Sequence, residues 1–197
     1  SHLIERLMLE RVKVRVIDDL SNGSLENIVP WLKNPNFTFV KGNLLNPADV
    51  TQALKGCQIV YHFAANPEVR VGSIRPDLLY QQNIVATYNL LEAIRNVGKI
   101  EKLVFASSST VYGEASKLPT PENYAPMEPI SVYGASKLAC EAMLMAYAHS
   151  YGFNVIIYRP ANIVGTRNKQ GAVHDFIQKL MKNPGELEIL GDGTQTK

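Results

Sequence analysis

With 197 residues, 46% of them hydrophobic and 19% charged, the chain suits one globular domain with a second one begun, and it can bury a sizeable core. The 20 Lys and Arg against 18 Asp and Glu give a net charge of +2. The basic residues are scattered, which leaves no footprint for nucleic acid or an anionic membrane. No apolar run reaches the length of a membrane span, and the first residues do not read as a signal peptide. Cys57 and Cys140 each stand alone in apolar surroundings, which fits buried thiols in a reducing cytoplasm rather than a disulfide or a metal site.

Residues 1–10 have helical spacing, followed by an alternating run Val12-Lys13-Val14-Arg15-Val16-Ile17-Asp18 that reads as a β-strand ending on acid. In a dinucleotide-binding βαβ unit an acid after the second strand accepts hydrogen bonds from the adenosine ribose. The segment Asp18-Asp19-Leu20-Ser21-Asn22-Gly23 is equally compatible with an ordinary polar turn. The first strand and glycine-rich turn of such a unit are expected just before Ser1, so the chain reads as a fragment. Because that strand is central in the 3-2-1-4-5-6 order, its absence predicts a hole in the sheet. The far end stops in the turn-like Gly191-Asp192-Gly193-Thr194.

Between these ends strands and helices alternate. Phe37 to Gly42 reads as a strand. Asn46 and Pro47 open a helix that Gly56 closes, and Gln58 to Ala65 reads as a buried strand. A long helix is expected over Asp77–Val97, then a strand Lys102–Ala106 running into Ser107-Ser108-Ser109-Thr110. A helix from Tyr133 to Gly152 precedes a last strand, Phe153–Tyr158. This pattern predicts an α/β fold with a doubly wound parallel sheet of the Rossmann type, whose ligands bind beyond the carboxyl ends of the strands. Tyr133 and Lys137, four apart, lie one turn apart on one helix face. An ammonium beside a phenol favours phenolate, which would make the pair a proton shuttle; a chance pair on a surface helix is the plain alternative. The hydroxyls of 107–110 could reach a substrate oxygen in the same cleft, or simply bond their own turn.

The ordered set of motifs resembles the extended short-chain dehydrogenase/reductase family, and within it the NAD-dependent nucleotide-sugar epimerases. Asp18-Asp19-Leu20-Ser21-Asn22-Gly23 is similar to the adenosine-binding segment. His62-Phe63-Ala64-Ala65 is similar to the turn along the cofactor, and Asn83-Ile84-Val85-Ala86-Thr87 to the helix motif Asn-x-x-Gly-Thr. Ser107 to Gly113 resembles the active-site strand end, with Ser108 as the catalytic hydroxyl beside Tyr133 and Lys137. Arg159-Pro160-Ala161-Asn162 resembles the segment whose Asn contacts the sugar nucleotide. The resemblance implies an NAD site that includes Asn43, Leu44, Asn83, Ser107, Pro160 and Ala161 as well, and a substrate site of Ser108, Tyr133, Asn162 and Arg167. Asn43 stands where many relatives have Asp.

The implied reaction is 4-epimerisation of UDP-glucose and UDP-galactose. Tyr133 takes the 4-hydroxyl proton, hydride moves from C4 to NAD, and hydride returns to the opposite face of the 4-keto sugar. Lys137 would keep the phenol acidic and bond the nicotinamide ribose. Asp18 would favour NAD over NADP, since a carboxylate repels a 2′-phosphate. A dehydratase would need an Asp-Glu pair after the catalytic hydroxyl, where this chain has Ser109 and Thr110. Other readings are a UDP-glucuronate or UDP-N-acetylhexosamine epimerase, a reductase, or a non-catalytic NAD-binding regulator. Arg70 and Arg167 could face a diphosphate or a hexuronate carboxylate, or be solvated loop arginines. Residues 1–165 are expected to form the dinucleotide-binding domain and 166–197 to begin a substrate domain. The resemblance also implies a cytoplasmic homodimer built on the helices at 77–97 and 133–151, with Leu90, Leu91, Ile94 and Val97 on one and Leu138, Met143, Met145 and Tyr147 on the other as the apolar surplus.

Overall fold

The structure, a computed structural model, describes residues 1–168 and 171–189, so the turn expected at 191–194 lies outside it. Two compact units divide the chain, Ser1–Arg159 and Pro160–Lys197. In the first, α1 (His2–Leu9) precedes β1 (Val14–Asp18), which pairs in parallel with β2 (Phe37–Lys41), Val14 opposite Phe37 and Asp18 opposite Lys41. Met8, Ile28 and Phe37 bury a small core against this pair. Next comes α2 (Pro47–Leu54), started as its sequence predicts: the Asn46 carboxamide oxygen accepts the Ala48 N–H at 3.1 Å and Pro47 holds the first helical position.

A second parallel sheet has the order β3 (Ile59–His62), β4 (Lys102–Ala106), β5 (Asn154–Tyr158). Ile59, Lys102 and Asn154 share one register position across it. Among the described residues no strand of one sheet is hydrogen-bonded to a strand of the other. The architecture is the Rossmann-like α/β fold with parallel strands. Strand β3 is shorter than the run 58–65 suggests, and it is not buried on both faces. Successive side chains of a strand point to opposite faces, and here Ile59, Tyr61 and Phe63 are exposed while His62 is buried.

A short α3 (Val71–Ile74) ends at the non-helical Arg75, and the helix expected over 77–97 is one path with a change of pitch: α4 (Pro76–Leu79), a π-helical segment Tyr80–Val85, then α5 (Ala86–Val97). Helix α6 (Val132–Tyr151) begins with Ser131, whose hydroxyl accepts the Gly134 N–H at 3.0 Å. It ends at Gly152, whose φ of +74 is the left-handed C-cap that lacks a penalty only for glycine. Leu90, Leu91, Ile94, Leu103, Phe105, Cys140 and Leu144 form the main core between these helices and one sheet face.

That core corrects one expectation. Leu90, Leu91 and Ile94 are 5%, 0% and 2% exposed, so they are spent on the sheet and cannot form an outer apolar face. The large apolar groups that do reach the surface of the 76–97 path and of α6 are Tyr80, Tyr88, Val132, Met145 and Tyr151. Among the described residues of the second unit, α7 (Ala172–Lys182) is amphipathic, and Lys179 bridges to Glu188 at 3.1 Å.

Candidate active site

Helix α6 and the carboxyl end of β4 meet along three neighbouring residues. The Lys137 ammonium donates to the Ala106 carbonyl at 2.9 Å. Ser107 continues the strand by donating its N–H to the Tyr158 carbonyl at 2.8 Å. Ser108, in extended conformation, caps the 3₁₀ turn Ser109–Tyr112, and its Oγ accepts from the Thr110 N–H and the Thr110 hydroxyl at 3.3 and 3.0 Å. Its side chain also lies close enough to the Tyr133 phenol to favour the phenolate. The structure therefore brings Ser108, Tyr133 and Lys137 together.

The electrostatics differ from the expectation drawn from spacing. Burial raises the Tyr133 phenol above its ordinary value, and the Ser108 hydrogen bond opposes this. Lys137 is only 3% exposed, and burial lowers its ammonium to about 8. Its Nζ sits 4.9 Å from the Phe105 ring centre and 6.0 Å from that of Tyr133. An ammonium committed to a backbone carbonyl at that distance stabilises the phenolate less than one in contact with it.

A cleft of about 300 Å³ opens at the carboxyl ends of β1, β2 and β3. Asp18, Asp19, Ser21, Asn22 and Gly23 line one side; Asn43, Leu44, Phe63, Ala64 and Ala65 line the other. Leu20 does not line it; with φ +63, it donates its N–H to Asp18 Oδ1 at 2.7 Å. A Cβ on Gly23 would sit 2.9 Å from Asp18 Oδ1, so any other residue there would push the carboxylate aside. Asn43 donates its amide to Asp19 Oδ2 at 3.0 Å, which an Asp at that position could not do while ionised. A carboxylate at a strand end over a cleft walled by small residues fits the adenosine half of a dinucleotide. The cleft also takes in Gln82 and Ala86, neither of which the sequence reading assigned to it.

Asn83 lies beneath the cleft, 2% exposed. Its side chain accepts the Asn66 N–H at 2.8 Å and donates to the Ser136 hydroxyl at 2.9 Å, so it ties the loop after β3 to α6. His62 Nε2 is 2.9 Å from the Thr87 hydroxyl, which donates to the Asn83 carbonyl at 2.6 Å. Complete burial and the nearby Lys137 lower His62 to about 3, so it is neutral. One turn further along the same face of α6, the Glu141 carboxylate accepts from the Ser107 hydroxyl and from Arg159 Nε and Nη2, the last at 2.7 Å. The sequence reading missed Ser136, Glu141 and the side chain of Arg159; the four-residue step from Lys137 to Glu141 was the signal available. Arg70, Ala161, Asn162 and Arg167 are exposed and Pro160 half-buried, the last four belonging to the second unit. Among the described residues there is no cluster of potential metal ligands, and no helix is long and apolar enough to cross a membrane.

These features describe an α/β fold of parallel strands with a cleft at their carboxyl ends and with Ser108, Tyr133 and Lys137 gathered where β4 meets α6. Residues 1–197 match the model of the NAD dependent epimerase/dehydratase family, and the chain belongs to that family. It is 35% identical over its full length to a putative UDP-glucose 4-epimerase of Methanocaldococcus jannaschii, of which it spans 64%. A crystal structure of a UDP-galactose 4-epimerase is 42% identical with a TM-score of 0.81, over 94% of this chain and 60% of that one. A UDP-N-acetylglucosamine 4-epimerase from Methanobrevibacter ruminantium, solved with UDP-N-acetylmuramic acid, is 34% identical with a TM-score of 0.88, over 98% of this chain and 62% of that one.

Proposed function

We propose that the protein is an NAD-dependent nucleotide-sugar epimerase that interconverts UDP-glucose and UDP-galactose. Residues 1–165 would be its dinucleotide-binding domain and 166–197 the opening of its substrate domain. The observation that carries this reading is the meeting of Ser108, Tyr133 and Lys137 where β4 delivers its end to α6. Family membership supports the reaction class, and similarity to 4-epimerases supports the position on the sugar. Ser109 and Thr110 offer no carboxyl group, which disfavours a dehydratase.

Asp18 and the small residues Gly23, Ala64 and Ala65 would hold the adenosine part of NAD, with Asn43 and Asn83 bracing that wall. When bound, NAD supplies a hydride acceptor and donor at the sugar C4. The chain's own share is proton handling and orientation. Tyr133 as phenolate takes the C4 hydroxyl proton and later returns one, and Ser108 hydrogen-bonds the same oxygen. Lys137, mostly charged below about pH 8, holds the Ala106 carbonyl and adds positive potential beside the phenol. Asn162 and Arg167 are assigned to the sugar nucleotide. Exposed Tyr80, Tyr88, Val132 and Met145 support a homodimer through α6 and the 76–97 helical path. The two free cysteines support a cytoplasmic setting.

The test is to offer the intact protein UDP-glucose, UDP-N-acetylglucosamine and UDP-glucuronate side by side and compare kcat/KM. The reading predicts the neutral hexose to lead. A preference for glucuronate of about tenfold, or about 1.4 kcal/mol in transition-state binding, would overturn the hexose assignment and direct attention to Arg70 and Arg167.

A further inference from the structure

The helix that carries Tyr133 and Lys137 carries a third polar residue on the same stripe, Glu141, two turns beyond Tyr133. It is 4% exposed and its carboxylate is fully engaged. Arg159, the first residue after β5, grips it through Nε at 3.0 and 3.1 Å and Nη2 at 2.7 Å, a forked geometry. The remaining arm of Arg159 reaches the Tyr112 hydroxyl at 3.0 Å and the Glu122 carbonyl at 2.9 Å, so it also holds the chain that leaves β4. The carboxylate spends its last acceptor site on the Ser107 hydroxyl. Ser107 is itself fastened to β5 through the Tyr158 carbonyl, next to Arg159. A clasp of β4, β5 and α6 thus closes on the residue immediately before Ser108.

We propose that Glu141 is a positioning residue for the proposed reaction: held by Arg159, it pins the Ser107 hydroxyl and so fixes the backbone that presents Ser108 to Tyr133. The physical argument is one of freedom. Ser108 is an N-cap at the mouth of a short turn, and a hydroxyl there aligns with the phenol only if the preceding peptide cannot rotate. The Lys137 bond to the Ala106 carbonyl and the Glu141 bond to the Ser107 hydroxyl remove that rotation at two successive residues. Misplacement of a reacting group by about 1 Å is enough to lower turnover roughly a hundredfold.

The inference rests on the assignment of Ser108 and Tyr133 as the reacting pair, so the test has one arm that needs turnover and one that does not. In the intact, NAD-loaded protein, Ser107→Ala should lower kcat by about tenfold to a hundredfold with KM changed less than about twofold. Ser107→Thr, which keeps the hydroxyl, should restore kcat. In the second arm the Tyr133 titration is followed by isotope-labelled tyrosine NMR, its signal assigned by its loss in Tyr133→Phe. Ser107→Ala should move that midpoint upward in pH, in the same direction as Ser108→Ala, because the hydrogen bond that favours phenolate is loosened. If Ser107→Ala fails to fold, Ser107→Cys poses the same question with the same outcomes. A Ser107→Ala protein whose melting point falls while kcat and the Tyr133 titration stay at wild-type values overturns the proposal. A wild-type protein that turns over no nucleotide sugar would overturn the function and leave the titration arm to decide the clasp.

Discussion

Lys137 shows how far a single residue's setting can depart from what its spacing suggests. Its four-residue step from Tyr133 was legible in the sequence, as were Ser108 at a strand end and Asp18 after an alternating run. Its burial was not, because burial depends on Phe105 and the Ala106 carbonyl, which arrive from β4. The consequence is measurable. With the ammonium lowered to about 8 from an ordinary 10.5, the unfolded chain holds a proton that the folded one has released between those pH values. Folding stability attributable to this group therefore rises with pH across that window, by up to about 3 kcal/mol at roughly 1.4 kcal/mol per pKa unit. Lys137→Met removes this dependence. The stability difference between Lys137→Met and wild type should be constant below about pH 8 and shift in favour of wild type up to pH 10.5, as read by urea unfolding. A difference that stays flat to pH 10.5 would mean that the amine is not desolvated.

Among the elements, the path 76–97 departs most from its sequence pattern. Its ends and amphipathic spacing were readable, and Gly98 closes it as expected. The π-helical segment within it was not, because it answers to side chains elsewhere in the fold. The Cys140 thiol of α6 donates to the Asn83 carbonyl beside the Thr87 hydroxyl, and the Asn83 amide donates to the Ser136 hydroxyl, contacts from α6 that no local pattern announces. Glu141 was invisible for a related reason: an acid in an apolar helix reads as a solvent-facing residue until its arginine is known. Replacing Glu141 by Ala leaves Arg159 without its partner in a largely buried setting, with an expected loss of about 3–5 kcal/mol of stability. Pairing it with Arg159→Met should recover part of that loss, as a double-mutant cycle would read.

His62 ties β3 to this path and makes it acid-sensitive. With its imidazole lowered to about 3 from 6.5, the unfolded chain binds the extra proton between those values. Stability should fall as pH drops through that range, by about 4–5 kcal/mol at pH 3. His62→Asn should reduce the slope between pH 6.5 and 4.5 in denaturant titrations. An unchanged slope would place the acid sensitivity elsewhere.

For the whole molecule, the fold class followed from the alternation of strands and helices, and family membership agrees with it over all 197 residues. What the alternation could not separate was core from outer surface. The surplus apolar residues of α5 are core, and the surface instead presents Tyr80, Val132 and their neighbours Ile84, Ala135 and Ala139 around a shallow apolar depression. Sedimentation of the intact protein at micromolar concentration should give a dimer, weakened by Val132→Glu. A monomer would remove this surface from the assembly. Tyr133 carries the proposed proton transfer, and the most direct test is Tyr133→Phe in the intact protein, a change that removes one hydroxyl and keeps the ring. Interconversion of UDP-glucose and UDP-galactose should fall below about 1% of wild type, in line with the hundredfold or more that a general base contributes, while NAD binding remains within about twofold. Activity retained at more than a few per cent would contradict the assignment of Tyr133 as the base.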